Sequence, residues 1–138
     1  MKGIYVLEII VSRPLRVRAG ALGRVCFSPG IYLYAGSAQN GLEGRVARHC
    51  RKRKKRHWHI DYLLAARGVT LKAALGCEAK RSEECATARR LEAAAEAVPG
   101  FGSSGCTCAG HLFRVSSAGW RGGVLTGSVW HTLAGRSG

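Results

Sequence analysis

The sequence predicts one α/β domain, of the α+β kind, and three observations predict it. Residues 3–11, Gly-Ile-Tyr-Val-Leu-Glu-Ile-Ile-Val, are rich in β-branched side chains, the composition of a strand. Residues 31–35, Ile-Tyr-Leu-Tyr-Ala, form a second extended run. After it come three stretches with helical patterning, opening near Asn40, Trp58 and Ser82. At 138 residues the chain is long enough to bury one sizeable core.

Taken in order, the first strand spans residues 3–11. Pro14 and the Ala-Gly-Ala-Leu-Gly stretch at 19–23 punctuate two short extended pieces near 15–18 and 24–27. In the next strand Tyr32, Tyr34 and Gly36 share one face, and Ile31, Leu33 and Ala35 the other. Asn40 reads as an N-cap and Glu43 completes a capping box, opening a helix that runs to about residue 52. A second helix covers about residues 59–67, and a strand follows at 69–76. Ser82 begins a third helix that ends near Val98-Pro99-Gly100. Residues 112–116 read as an edge strand. Residues 116–138 are Gly-rich and read as a hairpin or loose tail, which sets the domain at 1–115.

The charge is lopsided: 22 Lys and Arg against 8 Asp and Glu, a formal net charge of +14. Such a balance favours phosphate-bearing partners and salt-sensitive association. No apolar run approaches the roughly 20 residues of a membrane span. The N-terminal stretch carries Glu8 among its apolar residues and has no small-residue cleavage site, so it reads as a strand rather than a signal peptide. The expected compartment is the cytoplasm, where thiols stay reduced.

Two helices carry candidate chemistry. In the third, Glu84, Ala88, Leu91, Ala95 and Val98 fall on one apolar face. A carboxylate heading that stripe must be neutral, paired or metal-bound, because burying it charged and alone is expensive. A first-turn glutamate favoured by the helix dipole is the plainer reading. In the first helix Arg45 and His49 lie one turn apart on one flank, and Arg48 points away from them. A cation fixed on a half-buried face can hold a phosphate; a solvated basic helix is the alternative.

Just beyond lie six consecutive cations, Arg51, Lys52, Arg53, Lys54, Lys55 and Arg56. They read either as a solvated loop or address signal, or as a track for phosphates beside Arg45. Four phosphate contacts would give a log–log salt slope near about −4. Trp58 offers a surface for stacking on a base, or a core side chain. Cys106, Cys108 and His111 form a tight set of soft ligands, with Cys85 as a fourth. Such a set suits a structural Zn²⁺ site; small buried cysteines or a Cys85–Cys106 link are the alternatives. Cys26, Cys50 and Cys77 read as small core residues, and His57 and His59 as residues that dock the second helix.

The ordered set of motifs resembles the GIY-YIG nuclease superfamily. Gly3-Ile4-Tyr5 matches its first motif and Tyr34-Ala35-Gly36-Ser37 its second, with alanine for isoleucine. Leu42-Glu43-Gly44-Arg45-Val46 followed by His49 matches the helix bearing its arginine. The chain is more closely similar to the Uri-type endonuclease branch, through Tyr32–Ala38, Arg48-His49, His57–Leu63, Glu84-Cys85, Phe101–Ser104 and Cys106 to Phe113. A second Gly-Ile-Tyr stands at 30–32, and residues 6–33 separate the two motif tyrosines, room for an inserted hairpin.

The resemblance implies a small, mainly antiparallel sheet flanked by helices, one divalent metal and hydrolysis of phosphodiesters in DNA. It implies that Tyr5 and Tyr34 flank the scissile phosphate, with Tyr5 orienting the water. Arg45 would stabilise the transition state, His49 would relay a proton or touch phosphate, and Glu84 would bind Mg²⁺ or Mn²⁺. Gly36, Ser37, Arg48, the run Arg51–Arg56 and Trp58 are assigned to nucleic-acid contact. The expected function is therefore a metal-dependent DNA endonuclease. No base-reading helix is recognisable, so structure- or damage-dependent action is expected. Two rivals stand beside it: a nucleic-acid-binding module that does not cleave, favoured by the lack of an asparagine after Glu84 and by Gly105, and a zinc-stabilised adaptor in DNA repair.

Overall fold

The structure is a computed structural model that describes residues 2–51, 54–56, 58–102, 108, 110–116, 120 and 130–135. It is an α+β fold built on one open, six-stranded antiparallel sheet. The strands are β1 (Gly3–Val11), β4 (Gly30–Ala38), β5 (Val69–Glu78), β6 (Glu96–Ala97), β7 (Leu112–Val115) and β8 (His131–Gly135), in the order β6-β7-β4-β1-β5-β8. A separate hairpin of β2 (Leu15–Arg18) and β3 (Arg24–Phe27) fills the stretch between the two motif tyrosines, for which the spacing left room. Among the described residues, three α-helices complete the fold: α1 (Leu42–Cys50), α2 (His59–Leu64) and α3 (Glu83–Ala94).

β1 is the central strand, and both its faces are covered. Its alternation sends Tyr5, Leu7, Ile9 and Val11 into one cluster with Leu42 and Val46 of α1 and Ile60 and Leu63 of α2. Val6 faces the opposite cluster, where Leu33, Ala88, Leu91 and Phe113 meet. Full burial of such side chains stabilises by about 1.5–3 kcal/mol each, and the two-sided packing explains why β1 reads as nearly continuous apolar sequence. Its one acid, Glu8, is buried but satisfied: Trp120 Nε1 donates to its Oε2 at 2.9 Å.

Several boundaries differ from the sequence expectation. Asn40 is not the N-cap of α1. Gly41 occupies that position at φ 130°, a conformation that favours glycine. The helix stops at Cys50, where Lys54 Nζ donates to the carbonyls of Arg48, His49 and Arg51 at 2.9–3.2 Å. α3 stops at Ala94 because the chain extends at Ala95 and pairs β6 with β7. Strand β7 is therefore internal rather than an edge. The stretch 116–138, expected to be a hairpin or loose tail outside the domain, supplies Trp120 to the second cluster and β8 to the sheet beside β5. Among the described residues, no helix is long and apolar enough to cross a membrane.

Candidate active site and adjoining metal-ligand cluster

Sheet register builds the site. Tyr5 stands opposite Gly36 on one side and Gly76 on the other; its ring lies over Gly36, while Leu133 and Leu42 cover Gly76. A Cβ at Gly36 would collide with the Tyr5 ring and hydroxyl, which accounts for glycine there. Tyr34, opposite Leu7, shares that face, and the two tyrosine rings lie 6.4 Å apart. The α1 residues expected on one flank are delivered there. His49 is buried behind Tyr5, with Nε2 2.8 Å from the Tyr5 hydroxyl. Arg45, one turn earlier, donates to the Ser37 carbonyl at 3.0 Å, and its guanidinium stacks 4.5 Å from the Trp58 ring.

These residues open into a cavity of about 520 Å³ lined by Tyr5, Tyr34, Gly36, Ser37, Gln39, Asn40, Arg45, Trp58, Arg81, Glu84, Cys85 and Gly102. The lining draws on both sheet faces, Tyr5 and Tyr34 from one and Ser37 and Glu84 from the other. The cavity thus runs round the C-terminal end of β4. Among the described lining residues two carry guanidinium cations and one a carboxylate, a balance that favours an anionic ligand.

The protonation states follow from burial. Burial pushes the Tyr5 and Tyr34 phenols well up, although Arg45 acts to lower both. Burial, aided by the Lys54 charge, lowers His49 to about 3, so its imidazole is neutral at ordinary pH. With the proton on Nδ1, Nε2 accepts from the tyrosine hydroxyl, and the buried Nδ1–H has no partner among the described residues. Burial works against ionisation of Glu84, but hydrogen bonds from His111 and Ser37 and the charge of Arg81 outweigh it. The net shift is downward, and Glu84 is a carboxylate. Its side chain is 26% exposed, enough to face the cavity.

Behind Glu84 lies a second group. His111 Nδ1 is 2.9 Å from Glu84 Oε2 and 3.3 Å from the Ala35 carbonyl. One ligand atom each from Cys85, Cys108 and His111 lie within 4.8 Å of one another, a set that could hold a metal ion. Cys106, the remaining expected ligand, lies outside the described residues, as do Gly105, His57, Lys52 and Arg53.

Of the other expected contact residues, some are engaged within the fold and some are exposed. Arg48, expected at nucleic acid, forms a bidentate pair with the fully buried Asp61 at 2.9 Å and donates to the Lys55 carbonyl. It also stacks 4.4 Å from Trp58. Lys54 caps α1. Arg51, Lys55 and Arg56 are exposed. Trp58 is the one exposed large hydrophobic side chain among the described residues. His59 docks as expected, its Nδ1 accepting the Gly102 N–H at 3.0 Å. Of the free cysteines expected in the core, only Cys77 is buried; Cys26 and Cys50 are exposed. Sequence reasoning missed Arg81 and Gln39 in the cavity wall, and Asn40 as a wall residue rather than a cap. The signal for Arg81 was its place three residues before Glu84, in the turn leading into α3.

Fold and cavity together define an α+β protein with a cationic pocket in which a buried tyrosine–histidine pair faces a carboxylate. The chain belongs to the family described as Domain of unknown function DUF123, whose model matches residues 4–121. No curated protein and no solved structure matches it.

Proposed function

We propose that this chain is a metal-dependent endonuclease of the GIY-YIG type that hydrolyses phosphodiester bonds in DNA, acting on branched or damaged structures. One observation carries the reading: the Tyr5 hydroxyl, bound to a neutral buried His49, opens into the cavity that also holds Arg45 and Glu84. A water on Tyr5 attacks phosphorus, forming one P–O bond as the bond to the leaving oxygen breaks. The water's proton passes to Tyr5, whose own proton moves to His49 Nε2. The leaving oxygen takes a proton from solvent. Arg45 meets the charge that develops on the phosphoryl oxygens. Tyr34 and Trp58 line the wall for the flanking sugar and base.

Glu84 suits Mg²⁺ or Mn²⁺. It is ionised, its Oε2 is held by His111, and Mg²⁺ takes few protein ligands beside phosphate and water. When bound there, the ion would polarise the phosphoryl group and stabilise the leaving oxygen. The cofactor of the Cys85, Cys108 and His111 set is zinc in this reading.

The test is cleavage of labelled branched, duplex and single-stranded DNA, with RNA alongside, in Mg²⁺ or Mn²⁺. Glu84→Gln abolishes cleavage and keeps binding, whereas Glu83→Gln behaves as wild type because Glu83 is exposed. Equal loss in both variants, or in neither, removes Glu84 from the site. A second reading, a module that binds nucleic acid without cutting it, is favoured by the resistance of both Tyr5 and His49 to ionisation. Tight, salt-dependent binding with no turnover on any substrate would establish it.

A further inference from the structure

We propose that Cys85, Cys108 and His111 bind a thiophilic divalent ion, zinc by donor chemistry, and that the same imidazole holds Glu84 through its other nitrogen. Loading the thiolate site then fixes the carboxylate that faces the cavity. The proposal rests on the nuclease reading for the use of Glu84, but the metal site itself does not.

The imidazole is placed by backbone rather than by either partner. The His111 N–H donates to the Phe101 carbonyl at 2.7 Å, and its own carbonyl accepts the Ala35 N–H at 2.9 Å. The ring is 1% exposed, so its orientation is set by packing. Nδ1 faces Glu84 Oε2 at 2.9 Å. A proton on Nδ1 leaves the Nε2 lone pair as the metal-binding atom.

Glu84 and Cys85 are adjacent in the first turn of α3, so one turn of helix serves both groups. The three ligand atoms lie within 4.8 Å of one another. Tetrahedral zinc, with bonds of about 2.3 Å to sulfur and about 2.0 Å to nitrogen, needs them roughly 3.5–3.8 Å apart. Side-chain movements on the order of 1 Å close the set. The result is a carboxylate–histidine–metal chain, in which the outer carboxylate raises the basicity of the ligand nitrogen. Reciprocally, the bound ion strengthens the Nδ1–H bond that holds Glu84.

Cobalt(II) titration of reduced, metal-stripped protein tests this, read by thiolate-to-metal absorption and by competition with a chromophoric chelator. Wild type takes up the ion with thiolate bands. Cys85→Ser abolishes those bands or weakens affinity beyond measurement. Glu84→Gln keeps the bands and lowers affinity about 10–100-fold, the size of effect that loss of an outer carboxylate produces. Glu83→Gln leaves affinity unchanged. Far-UV circular dichroism confirms that each variant is folded. Wild type without thiolate bands, or Glu84→Gln binding as tightly as Glu83→Gln, overturns the proposal. Neither readout depends on cleavage, so failure of the nuclease reading leaves both results interpretable. If the chain does cleave, removing the thiophilic ion while Mg²⁺ is present raises the Mg²⁺ concentration needed for half-maximal rate. An unchanged requirement would overturn the coupling while sparing the nuclease reading.

Discussion

Two Gly-Ile-Tyr triplets occupy neighbouring strands, yet their tyrosines meet opposite surroundings. Tyr5 sits between Gly36 and Gly76, with its hydroxyl on a buried histidine. Tyr32 sits between Ile9 and Arg114, with its hydroxyl donating to the Ser28 carbonyl at 2.7 Å. Tyr5 lines the cavity and Tyr32 does not. The tripeptide therefore supplies a strand-borne phenol and nothing more. Cross-strand neighbours decide whether it becomes a chemical group or a turn latch. Arg45 and Arg48 repeat the lesson one helical turn apart: one guanidinium faces the cavity, and the other is committed to Asp61.

The largest expected effect is on turnover. Tyr5→Phe removes the hydroxyl but keeps the ring, and should slow single-turnover cleavage by about 10²–10⁴-fold with little change in DNA binding. Comparable turnover in Tyr5→Phe and wild type would erase the distinction between the triplets.

The arginine pair sharpens the contrast by separating stability from rate. Arg48→Ala takes the guanidinium from the buried Asp61 carboxylate, which keeps the Trp58 N–H at 3.0 Å, and should destabilise the fold by about 3 kcal/mol in urea unfolding. Arg45→Ala forfeits a hydrogen bond worth about 1 kcal/mol yet abolishes turnover. Reversal of these two outcomes would exchange their roles.

His49 makes the Tyr5 environment visible to pH. Its folded value, about 3, lies below the ordinary 6.5, so the unfolded chain binds the proton more readily. The stability it contributes is full above about 6.5 and is lost as pH falls towards 3. At 1.36 kcal/mol per unit the loss is at most about 5 kcal/mol. Unfolding free energies of wild type and His49→Phe, measured between pH 7 and the acid limit of folding, should converge as pH falls by about that amount. Parallel curves would show that His49 is not held neutral. The smallest effect is Tyr32→Phe, which should cost only about 1 kcal/mol of stability and leave turnover within a few-fold of wild type.

Much of this arrangement was legible in the sequence, for identifiable reasons. β1, β4 and the β2–β3 hairpin showed because β-branched runs and Gly/Pro punctuation are local signals. Glu84 showed because helical spacing placed it at the head of the stripe that buries Ala88 and Leu91. What could not be read depends on partners distant in sequence. The two-residue β6 has no period to detect. β8 pairs with β5 from the far end of the chain, and the buried Glu8 accepts a hydrogen bond from the equally distant Trp120. The basic run gave its charge but not its geometry, since Lys54 turns back onto the end of α1. Arg48, expected to point away from Arg45 and His49, meets Arg45 at the Trp58 ring, and its buried partner Asp61 lies on α2 and left no sign in the spacing.

The most direct measurement of the central claim is single-turnover cleavage of a labelled branched DNA in Mg²⁺, run side by side for wild type, Tyr5→Phe and Tyr32→Phe. Wild type and Tyr32→Phe should cleave, and Tyr5→Phe should cleave almost not at all. An active Tyr5→Phe beside an inactive Tyr32→Phe would contradict the claim.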